Sequence, residues 1–314
     1  MSRTVQSAHA LPRWRTAGFT PAALPTTREI RRVAYRTRGH GPGPIVRLMS
    51  PSDLGLKLKP FVFLDLFEAD MRQLAGNMPL HPHSGIATIT VPTQGEMRFD
   101  DPQAGQGTLG YGGVEWSRAG GGMWHGKELS SGASPIVQGF QLWIALPPEL
   151  ENGPSESQYI EAKTGVRIGP ARLIVGEYQN AKSPVRSPAG INYLLVTLKP
   201  REQWSYQPPE GHSIGWVAVA KGEIDANEPL RAGDLAIFQN GETPIALSNT
   251  GDESAIFVLG SAVPHNYPLH LGYYSVHTSE EALAAGEERI AELGRRLATA
   301  GDRRTASGTI PIFR

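Results

Sequence analysis

The stretch His81-Pro82-His83-Ser84-Gly85-Ile86-Ala87-Thr88-Ile89-Thr90-Val91 sets a His-x-His pair directly before an apolar, β-branched run opened by glycine. Runs of four to six such residues between turn formers read as strands of a β-sandwich or barrel. Outward from this stretch the same signal recurs at Phe61-Val62-Phe63-Leu64 and at Gln141-Leu142-Trp143-Ile144-Ala145-Leu146. A second series follows at Asn192–Leu198, Ile214–Ala220, Asp234–Phe238, Ile245–Ser248 and Ala255–Gly260. Gly95-Glu96 ends a strand in the first series as Gly222-Glu223 does in the second. Gly112-Gly113 and Gly233-Asp234 then each open another strand, so the two series look like a weak internal repeat.

The expected organisation is an extension over 1–40, a β unit over 41–150, and a connecting segment over 151–187 richer in Pro, Gly, Ser and charge, with an edge strand or two inside. A second β unit covers 188–277, and a helix and tail cover 278–314. The helix is read from Thr278 and Glu281 at capping-box spacing, with Leu283, Ile290, Leu293 and Leu297 on one stripe.

Composition narrows the function classes. The 314 residues carry 30 Lys and Arg against 30 Asp and Glu, and a net charge of zero argues against charge-driven binding to nucleic acid or an anionic membrane. No run approaches the roughly 20 apolar residues of a membrane helix. The first 40 residues hold eight arginines and one acid, Glu29, which fits either a surface-lying extension or a transit segment; a cytoplasmic protein is the default expectation. The 36 Gly and 26 Pro suit a turn-rich β protein. With no cysteine, thiolate chemistry is excluded and any metal falls to the nine histidines and the carboxylates.

Three histidines have the right pattern for that task. Residues i and i+2 of a strand point the same way, so His81 and His83 present imidazoles to one side. His125, 42 residues after His83, ends the glycine-rich stretch Ala119-Gly120-Gly121-Gly122-Met123-Trp124-His125, where backbone passes close to a site. Three neutral imidazoles suit a divalent transition metal and leave coordination positions open. The alternative is a pair of surface or hydrogen-bonded histidines at a strand entrance. His212 reads as structural, and His265, His270 and His277 lack ligand spacing, so the second unit has no three-His set. Trp116, Trp124 and Trp143 are either barrel core or a stacking pocket, with Trp124 the pocket candidate because it adjoins His125.

Taken together, Pro60-Phe61 through Phe67, His81-Pro82-His83-Ser84-Gly85, Val114-Glu115-Trp116, Ala119–His125 and Gln141-Leu142-Trp143 resemble the pirins, members of the cupin superfamily. The resemblance implies an all-β bicupin: two antiparallel jelly-roll barrels face to face, here with a C-terminal helix. It implies one metal in the N-terminal barrel, usually iron, with nickel, manganese, copper or zinc as alternatives. His81, His83 and His125 match the three histidine ligands. The family's glutamate ligand stands two residues after the last histidine, where this chain has Lys127; Glu128 follows. In a regular strand Glu128 points elsewhere, whereas a bulge after Gly126 would bring it in as fourth ligand and proton acceptor. The other outcomes are a three-His site completed by water or a weakened site. Ala87 and Thr88 stand where many relatives carry an acid, which implies a more apolar or differently shaped cavity.

The resemblance implies a dioxygenase of the quercetin 2,3-dioxygenase type acting on an aromatic or enolic small molecule. Its alternative is a non-enzymatic metal- or redox-sensing protein that regulates a protein partner.

Overall fold

Alternation along Ile86–Gln94 sorts its side chains onto two faces. Ala87, Ile89 and Val91 join a large apolar core, while Thr88 and Thr90 point the other way and are equally buried. The structure, a computed structural model, describes residues 30–41, 43–73, 79–300 and 312–314. The expectation of a transit segment or surface extension lies, up to residue 29, outside those residues.

In the first unit Ile86–Gln94 lies in a six-stranded antiparallel sheet, in the order Glu156–Ile160, Val114–Arg118, Ile86–Gln94, Ile136–Ala145, Phe61–Asp70 and Ile45–Met49. Facing it are short sheets, one of which sets Met123–His125 between His81–His83 and Ile312–Phe313. The second unit repeats the plan. A seven-stranded sheet runs Val33–Arg38, Asp234–Phe238, Ile214–Lys221, Ala255–Ala262, Ile191–Leu198, Ala171–Val175 and Val166–Ile168, and a four-stranded sheet opposes it. The large sheets pack face to face: Trp116, Phe140 and Leu142 from the first meet Tyr193, Leu195 and Trp216 from the second in one core. The Phe61 ring meets Trp216 edge-on, with centroids 5.3 Å apart. The chain is thus a two-barrel cupin fold, as the resemblance to the pirins implies.

Three local readings differ. The segment expected to connect the units is shared between them: Glu156–Ile160 pairs with Val114–Arg118 of the first sheet, and Val166–Ile168 and Ala171–Val175 extend the second. Val33–Arg38, from the expected extension, pairs with Asp234–Phe238 of the second unit. Long-range pairing leaves no local trace in sequence, and here strands from the flanking segments cover edges that would otherwise be open. The helix Glu280–Thr299 is capped by Ser279, whose side chain accepts from the Ala282 N–H, and not by Thr278. Thr278 instead donates its N–H and its hydroxyl to the buried Glu151 carboxylate, at 2.7 and 2.6 Å.

Candidate metal centre

Antiparallel register places His81 opposite His125 and His83 opposite Met123, so a strand pair brings together histidines 42 and 44 residues apart. The ring centroids of His81, His83 and His125 are 4.6–5.0 Å apart, and one ring nitrogen of each lies within 4.8 Å of the other two. Each Nδ1 is engaged outward: His81 with Pro79 O at 3.2 Å, His83 with Tyr274 O at 3.0 Å, and His125 with Glu128 Oε1 at 2.6 Å. Such outer partners fix the tautomer that aims Nε2 at a metal. His125 Nε2 is buried without a hydrogen-bond partner.

Burial lowers His81 to about 4, helped by the neighbouring His125. It drives His83 well below its ordinary value, with His125 and His81 adding to the effect. Both rings are therefore neutral near pH 7, as metal ligands must be. The donor set fits a divalent transition metal.

The sequence breaks the strand at Gly126. Its φ of +132° suits glycine, and a Cβ there would stand 2.7 Å from Pro79 O. The bend over 126–128 turns Glu128 inward, so the carboxylate reaches His125 although the chain does not continue as a strand. Oε1 accepts from His125 and Oε2 accepts from the Gly126 N–H at 2.7 Å. Burial disfavours the Glu128 carboxylate, but His125 and these hydrogen bonds outweigh it and hold the group at about 2. In return, the Glu128 charge outweighs burial at His125 and raises that ring. Lys127 is half-buried.

Glu115 went unrecognised in the sequence as a site residue. It groups with His125 and Glu128, is itself buried, and its Oε1 has no hydrogen-bond partner. Burial, and then the Glu128 charge, push its carboxyl up to about 8. An acid between Val114 and Trp116 on an apolar strand was the available signal, since a buried acid is rare without a task. Glu115 sits opposite Thr90 in the sheet.

A cavity of about 100 Å³ opens beside this cluster, with His81, His125, Glu115, Glu128, Asp65, Thr90 and Gln141 as its polar wall and Phe67, Met71, Met97 and Leu129 among its apolar residues. Trp124 does not line it; alternation turns the indole outward, where Nε1 donates to Ile290 O at 2.9 Å on the C-terminal helix. Trp143 stacks on Phe63 and meets His83 edge-on, and Trp116 lies in the core between the sheets. His212 bonds Ser261 Oγ in the second unit, and among the described residues no metal-binding group is found there.

Known proteins bear on this centre. A family model described as Pirin matches residues 46–144. A pirin-like protein of Arabidopsis thaliana is 30% identical over 241 residues, covering 71% of this chain and 75% of its own. A Pseudomonas aeruginosa protein that carries a provisional quercetin 2,3-dioxygenase name is 27% identical over 246 residues, covering 73% of this chain and 84% of its own. Among solved structures, a quercetin 2,3-dioxygenase from Acinetobacter baumannii superposes with a TM-score of 0.71 at 25% identity, over 85% of this chain and 98% of that one. A bacterial pirin from Escherichia coli, solved in complex with nickel(II), shares the fold with a TM-score of 0.53 at 16% identity, over 75% of this chain and 98% of that one. Among the described residues no helix is long and apolar enough to cross a membrane.

Proposed function

Since this chain belongs to the pirin family, we propose that it is a metal-dependent dioxygenase of the quercetin 2,3-dioxygenase type, acting on a small aromatic or enolic molecule. The observation that carries the reading is the three-histidine cluster with every Nδ1 held from outside and with the buried Nε2 of His125 unpartnered. His81, His83 and His125 would hold the metal, Fe(II) in the first instance. When bound, the metal supplies Lewis-acid and one-electron chemistry toward an enolic oxygen and dioxygen.

The remaining work belongs to side chains. The apolar wall excludes water, and Thr90 and Gln141 offer hydrogen bonds that orient a polar edge. Glu128 has both oxygens engaged and is a weak base at about 2. Glu115, buried with Oε1 unpartnered and pushed up to about 8, keeps its proton at neutral pH and is placed to donate a hydrogen bond to an oxygen of the substrate. A cavity of about 100 Å³ is well below the roughly 300 Å³ at which pockets for drug-sized ligands begin. We accordingly place only the enolic edge of a flavonol inside it, and catechols and small enols are equally suitable substrates.

The test is oxygen consumption by iron-loaded protein across a panel from catechols to flavonols. Uptake with at least one substrate class is expected, lost in the His81→Ala, His83→Ala double variant. No uptake with iron, nickel, manganese, copper or zinc across the panel would overturn the catalytic reading in favour of a metal-sensing binding protein.

A further inference from the structure

Two clusters share one imidazole. His125 belongs to the group of His81 and His83, and also to the group of Glu115 and Glu128, yet Glu128 does not fall within the first group. Ligand atoms of one metal, each about 2.0–2.2 Å from it, lie at most about 4.4 Å apart. The atoms of the three-histidine group satisfy a 4.8 Å limit that the Glu128 carboxylate does not meet together with them. The ring of His125 explains the separation. Its Nδ1 meets Glu128 Oε1 at 2.6 Å, while its Nε2, on the far side of the imidazole, is buried without a partner. An oxygen hydrogen-bonded to one ring nitrogen stands on the opposite edge of the ring from a metal bound to the other.

The cause is the residue by which this chain departs from its relatives. Glutamate is displaced one position beyond the place where the resemblance expects it, and the bend at Gly126 returns it behind the histidine. Gly126 also donates its N–H to Oε2, so both oxygens of the carboxylate are committed to the support of the loop and of the ring. Glu115 groups with Glu128 and His125, outside the three-histidine cluster.

We infer that Glu128 is a positioning residue and not the fourth metal ligand: it holds His125 through Nδ1 in a carboxylate–histidine–metal arrangement, and the metal keeps three protein ligands. This rests on the metal-binding reading above and specifies its coordination. Three protein ligands leave more open positions than four, enough for substrate and dioxygen together. An outer carboxylate raises the basicity of its histidine and fixes its orientation, and losing such a partner weakens metal affinity about 10–100-fold without abolishing binding.

The experiment uses the full chain loaded with Co(II), read by optical titration and by the hyperfine-shifted proton NMR signals of metal-bound imidazoles. Wild type should show three solvent-exchangeable N–H signals, one from each Nδ1–H. Glu128→Ala should still take up one cobalt, with affinity reduced about 10–100-fold, and should lose one N–H signal to solvent exchange while two persist. Glu128→Gln retains an acceptor oxygen and should restore the third signal at a changed shift. Strongly shifted carboxylate methylene protons in the wild type that vanish in both variants would mean direct ligation and overturn the inference. So would three unchanged N–H signals in Glu128→Ala. Wild-type protein that takes up no cobalt would overturn the metal reading and this inference with it, and is told apart by the absence of cobalt absorption bands.

Discussion

The two barrels use the same strand plan and fill it differently. In the second, the inward side chains of its main sheet are mostly apolar: Leu194, Val196, Val217, Val219, Phe238 and Phe257 close into one core, and the buried Asn192 and Ser261 at one end are hydrogen-bonded to Tyr206 and His212. In the first, the face of the main sheet opposite the apolar core carries Phe63 and Trp143 but also Thr88, Thr90, Glu115 and Ser117, all four buried, each with an oxygen that finds no hydrogen-bond partner. Burying polar groups without partners costs stability, so such an interior persists where a ligand, ion or water makes use of it. The second barrel contributes stability and a shared wall; the first gives up part of its packing to hold the cluster of histidines and carboxylates. The lesson is that a duplicated framework separates the two demands between its halves.

Substitutions can break that comparison. The largest effect is expected in the second barrel, where Phe257→Ala should cost about 3–5 kcal/mol in denaturant unfolding and leave the metal affinity of the folded protein unchanged. A fall in metal affinity would mean that the barrels are not independent in this respect. Next comes Gly126→Ala, which forces an L-residue into a φ of +132° and drives a Cβ against Pro79 O, the acceptor that holds His81. A stability loss of about 1–3 kcal/mol is expected by thermal melting, together with weaker metal binding in titration.

The carboxyl pair gives a pH signature. The folded value of Glu115, about 8, lies above its ordinary 4.5, so between those values the folded chain holds a proton that the unfolded chain has released. Its stabilising contribution is complete below about 4.5 and is lost as the pH rises toward 8, at up to about 1.4 kcal/mol per pH unit. Glu115→Gln should flatten the unfolding free energy of the metal-free protein across that window. An unchanged slope would show that another group carries it. The smallest effect is assigned to Trp124→Phe, which removes one hydrogen bond to Ile290 O and should cost about 0.5–1.5 kcal/mol. KM for any active substrate should not move; a change in KM would put the indole back in the pocket.

Much of this was legible in the sequence, for physical reasons that can be named. Alternation in Ile86–Gln94 carries the strand and its two faces, and the i, i+2 spacing of His81 and His83 carries their common direction. The helix was legible from its stripe, although the cap fell one residue later, because Thr278 finds the Glu151 carboxylate before it finds the helix. The sharing of 151–187 between the sheets was not legible, since strand pairing at long range leaves no local pattern. Nor was the part played by Glu115, whose significance depends on His125 from another sheet and Glu128 from the bend after it grouping with it. Trp124 adjoins His125 in sequence, yet a strand sends neighbouring side chains to opposite faces, and its indole belongs to the helix.

The sequence by itself determined the residue types that the chemistry draws on: histidines without cysteine, a glycine at 126 and a glutamate displaced to 128. It also determined the two strand series, because the period of apolar residues is a local property of the chain. Only the tertiary structure decided which nitrogen of His125 faces which partner, that the Glu128 carboxylate meets Nδ1 of that ring, and that one barrel interior buries unpartnered polar oxygens where its counterpart is mostly apolar. Those are relations between atoms on different strands, fixed by register and by the bend at Gly126, and no single stretch of sequence contains both ends of them.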